Sequence, residues 1–133
     1  MSNARIRNSL LKEPAIANSI TAAKDSDIAL VGIGSKGSSS SEMVIAEFQL
    51  TQKETDEVTK DYAGDVAARF YTKTGKLLSA HLDSRVLGLS LDEIRAIPMV
   101  IGVAHGAEKV LGVIGAARAK IINSLVVDVA LAN

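Results

Sequence analysis

The chain has 133 residues, and fifteen basic and fifteen acidic side chains leave it without net charge. This balance disfavours direct binding to nucleic acid, because contacts to phosphate groups dominate that affinity. Cysteine is absent, so disulfides and thiolate zinc sites are excluded. The sequence also has no apolar run of the ~20 residues that a membrane helix needs. We therefore expect a cytoplasmic protein without a membrane partner.

The first half of the chain is predicted to contain three helices and one buried strand. A short helix starts at Arg5, and a second begins near Pro14, where proline suits the first turn. A buried strand over 27–31 runs directly into Gly32 and Gly34. Residues 36–41 are predicted to form a mobile Gly/Ser loop, and 43–50 are ambiguous. A helix over 51–60 is predicted from its capping-box spacing.

The second half is predicted to alternate strands with helices. We expect a strand over 66–71, a turn over 73–76, and extended segments over 77–82 and 85–89. Ser90 and Glu93 have capping-box spacing and open a short helix that ends before Pro98. Buried strands are predicted over 99–104 and 123–127, with a helix over 107–117 between them.

This alternation indicates an α/β domain with a three-layer, Rossmann-like arrangement and a mainly parallel sheet. Nearly half of the residues are hydrophobic, whereas aromatic residues make up 3%. The core must therefore be built from aliphatic side chains, which suits a parallel sheet covered by helices. The central strands are predicted to include 28–31, 99–103 and 125–127.

Two candidate binding segments are rich in glycine. Gly32, Gly34 and Ser35 follow a strand, where glycines let a ligand approach backbone amides, although the same pattern often marks only a tight turn. Asp65 follows Gly64 and could accept hydrogen bonds from sugar hydroxyls or act as a general base. From sequence alone, a turn aspartate that bonds its own backbone is the better interpretation.

Two further segments carry positive charge. Asp83 and Arg85 would share one face of an extended segment, so Asp83 either orients an arginine towards an anion or forms a surface ion pair of little energetic value. Gly106 lies where a strand ends and a helix begins, which favours an anion. Lys109 lies in the first turn of the predicted helix, whereas the helix dipole favours cations at the C-terminal end. Either a bound phosphate or pairing with an acid such as Glu108 would compensate for this unfavourable position.

The two histidines, His81 and His105, have no third ligand at a suitable spacing, so neither a metal nor a cofactor is predicted. The residues predicted to bind a ligand are Gly32, Gly34, Ser35, Asp65, Asp83, Arg85, Gly106 and Lys109. None of them forms a recognisable catalytic constellation.

The order of these segments resembles the effector-binding domain of the SorC family of bacterial transcriptional regulators. The segments that carry the resemblance are DIALVGIGS at 27–35, AGDV at 63–66, RF at 69–70, DSRVLGLS at 83–90, IP at 97–98, GAEK at 106–109 and NSLVVD at 123–128. It implies a fold similar to glucosamine-6-phosphate deaminase and ribose-5-phosphate isomerase. It also implies a phosphorylated sugar as the effector.

Residues 1–4, Met-Ser-Asn-Ala, look like a cloning scar. The resemblance further implies that residues 5–133 are the C-terminal portion of that domain. The N-terminal half and the helix-turn-helix through which the family binds DNA would be absent, so the ligand site would be incomplete and binding weak. Two departures are His105, where the family has a small residue, and the end of the chain, where the family continues with an acidic, threonine-containing stretch.

We therefore expect a sugar-phosphate-binding and oligomerisation module of a transcriptional regulator, without enzymatic activity, and a homodimer as the simplest assembly. The alternative is a sugar-phosphate isomerase or deaminase that uses Asp65 as its base and Lys109 as its phosphate anchor. A purely structural dimerisation domain is the third possibility.

Overall fold

The computed structural model describes residues 3–132, apart from the side chain of Ser40. Met1 and Ser2 of the segment interpreted as a cloning scar lie outside the described residues, but Asn3 caps the first helix, accepting a hydrogen bond from the Ile6 amide at 3.0 Å. The helices are α1 Ala4–Leu10, α2 Pro14–Lys24, α3 Ser39–Glu47, α4 Gln52–Asp61, α5 Ala80–Asp83, α6 Leu91–Arg95, α7 Val110–Arg118 and α8 Val129–Ala132.

Three parallel strands form the first sheet, in the order β1-β5-β6. These are β1 Ile28–Gly32, β5 Met99–Ala104 and β6 Ser124–Val127, so the predicted parallel sheet and its three strands are confirmed. Their predicted burial is wrong for β1 and β6, neither of which contains a buried residue. Each is a short apolar run between turn signals, too short for a helix. Only β5 has a neighbour on both sides within the described residues; β1 and β6 are edge strands there.

A second, antiparallel sheet contains β2 Gly34–Ser35, β3 Tyr62–Val66 and β4 Arg69–Thr72. The prediction of one strand over 66–71 was wrong, because the chain reverses at Ala67 and Ala68, with φ of 51° and 60°. Such two-residue hairpin turns favour asparagine and glycine. Two alanines give no turn signal, and the hairpin could not be seen in the sequence.

The starting points of two helices were predicted correctly from local sequence signals. Thr51 and Ser90 each form the predicted capping box, with Glu54 and Glu93 respectively. The loop predicted over 36–41 is shorter than expected, since α3 begins at Ser39. The extended segment predicted over 77–82 was also wrong: α5 starts at Ala80.

The main core lies between the parallel sheet on one side and the antiparallel sheet with α6 and α7 on the other. Its buried residues are Ile33, Val66, Tyr71, Leu91, Ile94, Ile97, Val100, Ala104, Ala116, Ala119 and Ile121. A second cluster consists of Phe48, Val58, Tyr62, Phe70, Leu82 and Val86. It holds three of the four aromatic rings, with Phe48 and Tyr62 at 5.3 and 5.6 Å from the Phe70 centroid.

The opposite face of the parallel sheet, which we call the open face, is apolar and accessible. The strand register places Ile28 beside Met99, and Val103 beside Val126, on this face. Leu30 is 73% exposed and Val126 is 57% exposed. Within the described residues, therefore, the main core packs against the opposite face of this sheet and leaves the open face uncovered.

Candidate functional site

A cleft of about 420 Å³ opens at the carboxyl ends of β1 and β5. This is where ligands bind in open α/β sheets, because loops diverge there and backbone amides become accessible. The residues that line it are Gly32, Ile33, Gly34, Ser41, Val44, Asp65, Val103, Ala104, His105 and Lys109. Four of the eight predicted ligand-binding residues, Gly32, Gly34, Asp65 and Lys109, therefore lie around one cavity.

Asp65 is the carboxylate of this cleft, and it is only 6% exposed. Its Oδ1 accepts hydrogen bonds from the Tyr62 hydroxyl at 2.7 Å and the Ser41 hydroxyl at 3.0 Å. Burial raises the pKa of Tyr62 far above its ordinary value, and the neighbouring Asp65 charge raises it further. The Tyr62 hydroxyl thus remains a proton donor, and Asp65 is its acceptor.

Gly34 lies directly against that carboxylate. It is paired with Asp65 in the antiparallel sheet, and a Cβ at position 34 would lie 1.9 Å from Asp65 Oδ1. A Cβ at Gly32, by contrast, would meet no atom within 4 Å. Of the two glycines, only Gly34 is sterically required where it stands.

The other side of the cleft is basic. His105 follows β5, and Lys109 lies at the end of the short 3-10 helix Ala107–Lys109 that precedes α7. The His105 Nε2 lies 3.6 Å from Asp128 Oδ2. The cleft therefore has a buried carboxylate on the antiparallel sheet and basic side chains in the segment that follows β5. This arrangement is suited to a ligand with hydroxyl groups and an anionic group.

Ser35 and Gly106 lie beside the cleft but do not line it. The Ser35 side chain is fully buried; its hydroxyl donates to the Ala63 carbonyl at 3.3 Å and accepts from the Gly112 amide at 3.1 Å. The Gly106 amide donates to Asp128 Oδ1 at 3.1 Å. In this structure both groups are engaged in internal hydrogen bonds, and their role in ligand binding stays a prediction.

Asp83 and Arg85 lie away from the cleft, and the expectation that Asp83 orients Arg85 was wrong. Asp83 forms an ion pair with Arg69 at 3.0 Å, whereas Arg85 pairs with Glu54 at 3.2 Å. The physical reason is that α5 replaces the expected extended segment, so the two side chains do not share a face. Arg85 is 4% exposed and also donates to the Phe48 carbonyl.

Three residues to which the sequence analysis assigned no role in the site are important for these arrangements. Ser41 and Tyr62 contact Asp65, and their only sequence signal is the i, i+3 spacing of Tyr62 and Asp65. Arg69 is 1% exposed and donates to the Leu89 and Gly88 carbonyls, each at 3.0 Å. It thereby fixes the irregular segment between α5 and α6.

In the part of the chain that the structure describes, no three histidine, aspartate or glutamate side chains cluster closely enough to hold a metal ion. Among the same residues, no helix has both the length and the apolar character needed to cross a membrane.

The chain is similar to known bacterial proteins over nearly its whole length. It is 32% identical over 129 residues to the sorbitol operon regulator of Klebsiella pneumoniae and 29% identical over 130 residues to the transcriptional regulator LsrR of Enterobacter sp. (strain 638). Each alignment covers 96% of this chain and 40% of the relative. The chain therefore spans well under half the length of these two relatives.

Solved structures give the same result. The crystal structure of a transcriptional regulator from Streptococcus pneumoniae TIGR4 superposes with a TM-score of 0.86 at 28% identity, covering 99% of this chain and 50% of that one. For the full-length sorbitol operon regulator SorC of Klebsiella pneumoniae the TM-score is 0.77 at 31% identity, with 96% and 41% covered.

The family model described as "Putative sugar-binding domain" matches residues 1–133. This match agrees with the resemblance carried by the sequence motifs and with the α/β fold of the solved relatives. The chain belongs to the sugar-binding domain family of SorC-type bacterial transcriptional regulators.

Proposed function

We propose that this chain binds a phosphorylated sugar in the cleft between β1, β5 and the antiparallel sheet, as the effector-binding module of a bacterial transcriptional regulator. The observation that carries the proposal is the placement of Asp65 and Lys109 around one cavity. A carboxylate accepts hydrogen bonds from sugar hydroxyls, and an ammonium group pairs with a phosphate.

In this proposal Lys109 binds the phosphate and Asp65 binds hydroxyls of the sugar. Lys109 precedes α7, so the positive end of that helix supports an anion at the same place. Gly32 and Gly34 leave backbone accessible along the floor of the cleft. DNA would be contacted only by another part of the regulator, in the cytoplasm, and no catalysis is proposed because the relatives are regulators.

Oligomerisation belongs to the same proposal. The open face exposes Ile28, Leu30 and Val126, each more than half accessible. Exposed apolar patches of this kind associate with other protein surfaces. We expect copies of this chain to self-associate through the open face, with a twofold dimer as the simplest closed assembly.

An NMR titration of the isotope-labelled chain tests the binding proposal. Ribose 5-phosphate, glucose 6-phosphate and fructose 6-phosphate are each added to millimolar concentrations, beside the three unphosphorylated sugars. Binding is expected to shift the Gly34 and Lys109 amide signals with at least one phosphorylated sugar. The absence of shifts with all three would refute the proposal.

Two lysine variants localise the phosphate. Lys109→Ala removes a charged contact of roughly 1.5–3 kcal/mol and should weaken binding of the sugar phosphate about tenfold to a hundredfold. Lys53→Ala is the matched control, since Lys53 is exposed on α4 and does not line the cleft. Equal losses for the phosphorylated and the unphosphorylated sugar would show that Lys109 does not bind phosphate. Product formation from any of these compounds would contradict the non-enzymatic role.

A further inference from the structure

We infer that Tyr62 and Ser41 are positioning residues that hold Asp65 so that a single oxygen of its carboxylate, Oδ2, accepts hydroxyl groups of the bound sugar. This inference rests on the proposed function and adds to it a mechanism for selecting polyhydroxylated ligands. It assigns roles to two residues outside the set that the sequence predicted.

The geometry around the carboxylate supports this assignment. In the described part of the chain, both hydrogen bonds to the Asp65 side chain end on Oδ1, from the Tyr62 and Ser41 hydroxyls. Gly34 also lies against Oδ1, leaving no room for a Cβ there. Oδ1 therefore already accepts two hydrogen bonds from the protein, and since Asp65 lines the cleft, Oδ2 is the oxygen left to accept from a ligand.

The two donors come from different elements, which fixes the carboxylate in two directions. Tyr62 begins β3 and its ring packs in the second core cluster, 5.6 Å from the Phe70 centroid. Ser41 lies in α3, is 1% exposed and has the Ser38 hydroxyl 3.0 Å from its own. Because both donors are immobilised by packing, rotation of the carboxylate about its χ2 angle would break two hydrogen bonds at once.

A fixed carboxylate selects ligands by the direction from which a hydroxyl can approach. Oδ2 can accept from hydroxyl groups presented at the cleft, and an inorganic phosphate gains nothing there, because two anionic groups repel each other. The arrangement therefore separates the recognition of hydroxyl groups at Asp65 from the recognition of the anion at Lys109. Tyr62 and Ser41 should influence the first and leave the second unchanged.

Tyr62→Phe tests this separation by removing the donor and leaving the ring. With whichever of the three sugar phosphates binds the unmodified chain, the affinity should fall about tenfold, whereas the affinity for inorganic phosphate should not change. Ser41→Ala should act in the same direction. Tyr71→Phe is the matched control: Tyr71 is equally buried, but its hydroxyl donates to the Gly112 carbonyl at 3.0 Å and makes no hydrogen bond to Asp65.

A double-mutant cycle with Asp65→Ala, which removes the oxygen that accepts from Tyr62 and Ser41, shows whether the effect passes through that carboxylate. Tyr62→Phe should cost no further affinity once Asp65 is replaced, because residues in one hydrogen-bond network are not additive. Equal weakening of the sugar phosphate and inorganic phosphate, or a loss as large in Tyr71→Phe, would overturn the positioning role. Unchanged binding by Tyr62→Phe would overturn it while leaving the proposed function intact, whereas failure of the unmodified chain to bind any sugar phosphate removes both.

Discussion

Replacing Gly34 by alanine should disrupt the cleft by displacing Asp65. The new Cβ would lie 1.9 Å from Asp65 Oδ1 and 2.5 Å from the Ser41 hydroxyl oxygen. Carbon and oxygen atoms cannot approach so closely, so the carboxylate must move away by more than an ångström. That movement breaks the hydrogen bonds from Tyr62 and Ser41 and leaves a buried charge without its donors.

The cost follows from the two hydrogen bonds. Leaving a buried charged group without its donors costs about 2–4 kcal/mol, which in a domain of this size lowers the melting temperature by about 5–15 °C. Thermal denaturation followed by circular dichroism measures the shift, and urea titration measures the free energy of unfolding. The sugar-phosphate titration should show a loss of affinity of at least about tenfold in the same variant.

Gly32→Ala is the matched control for this experiment. Gly32 lines the same cleft two residues earlier, and a Cβ there would meet no atom within 4 Å. Its free energy of unfolding should change by less than about 0.5 kcal/mol. If the two variants unfold at the same temperature, the close approach of Gly34 to Asp65 is not a feature of the folded protein and the reasoning is refuted.

Three further predictions test other parts of the structure. Ala67→Gly should stabilise the chain by about 0.5–1 kcal/mol in urea titrations because it relieves a positive φ, whereas Ala22→Gly, within helix α2, should destabilise it by about 1 kcal/mol. Leu30→Lys should weaken self-association about ten- to hundredfold in sedimentation experiments, and the similarly exposed Met43→Lys should not. Hydrogen bonds from Lys24 and from the Ser90 backbone lower the pKa of Glu93, so the Glu93 charge stabilises the fold at pH values above the unfolded pKa of about 4.3. Glu93→Gln should therefore lower the free energy of unfolding by about 0.5 kcal/mol at pH 7. This difference between the two proteins must vanish as the pH falls through the folded pKa of Glu93.

The features predicted correctly from sequence are those with a local cause. The three parallel strands are short apolar runs, and the capping boxes at Thr51 and Ser90 need only two residues three positions apart. Gly32, Asp65 and Lys109 were each proposed from their own segment and lie around one cleft in the structure. Spacing alone left a tight turn, a local aspartate turn and a solvated lysine as alternatives.

The features that the sequence could not reveal depend on contacts between distant segments. Asp83 lies fourteen residues from its partner Arg69, and Arg85 lies thirty-one residues from Glu54. Because Asp83 and Arg85 are two residues apart, their spacing suggests a local ion pair. The α5 helix shows why this ion pair does not form. The charges in the sequence do not show whether a residue forms an ion pair with a neighbour in the chain or with a distant residue brought close by folding, since both partners carry the opposite charge.

The cleft exists because the chain changes sheets at Ile33. β1 ends at Gly32 and β2 begins at Gly34, while the buried Ile33 keeps one bond to the parallel sheet through its amide and the Val103 carbonyl at 3.1 Å. This switch places the second glycine beside Asp65 on β3 and leaves the first one open to the cavity. Gly34 and Asp65, two weak signals thirty-one residues apart in the sequence, are thus one structural unit: the Asp65 carboxylate occupies the space that a side chain at position 34 would need.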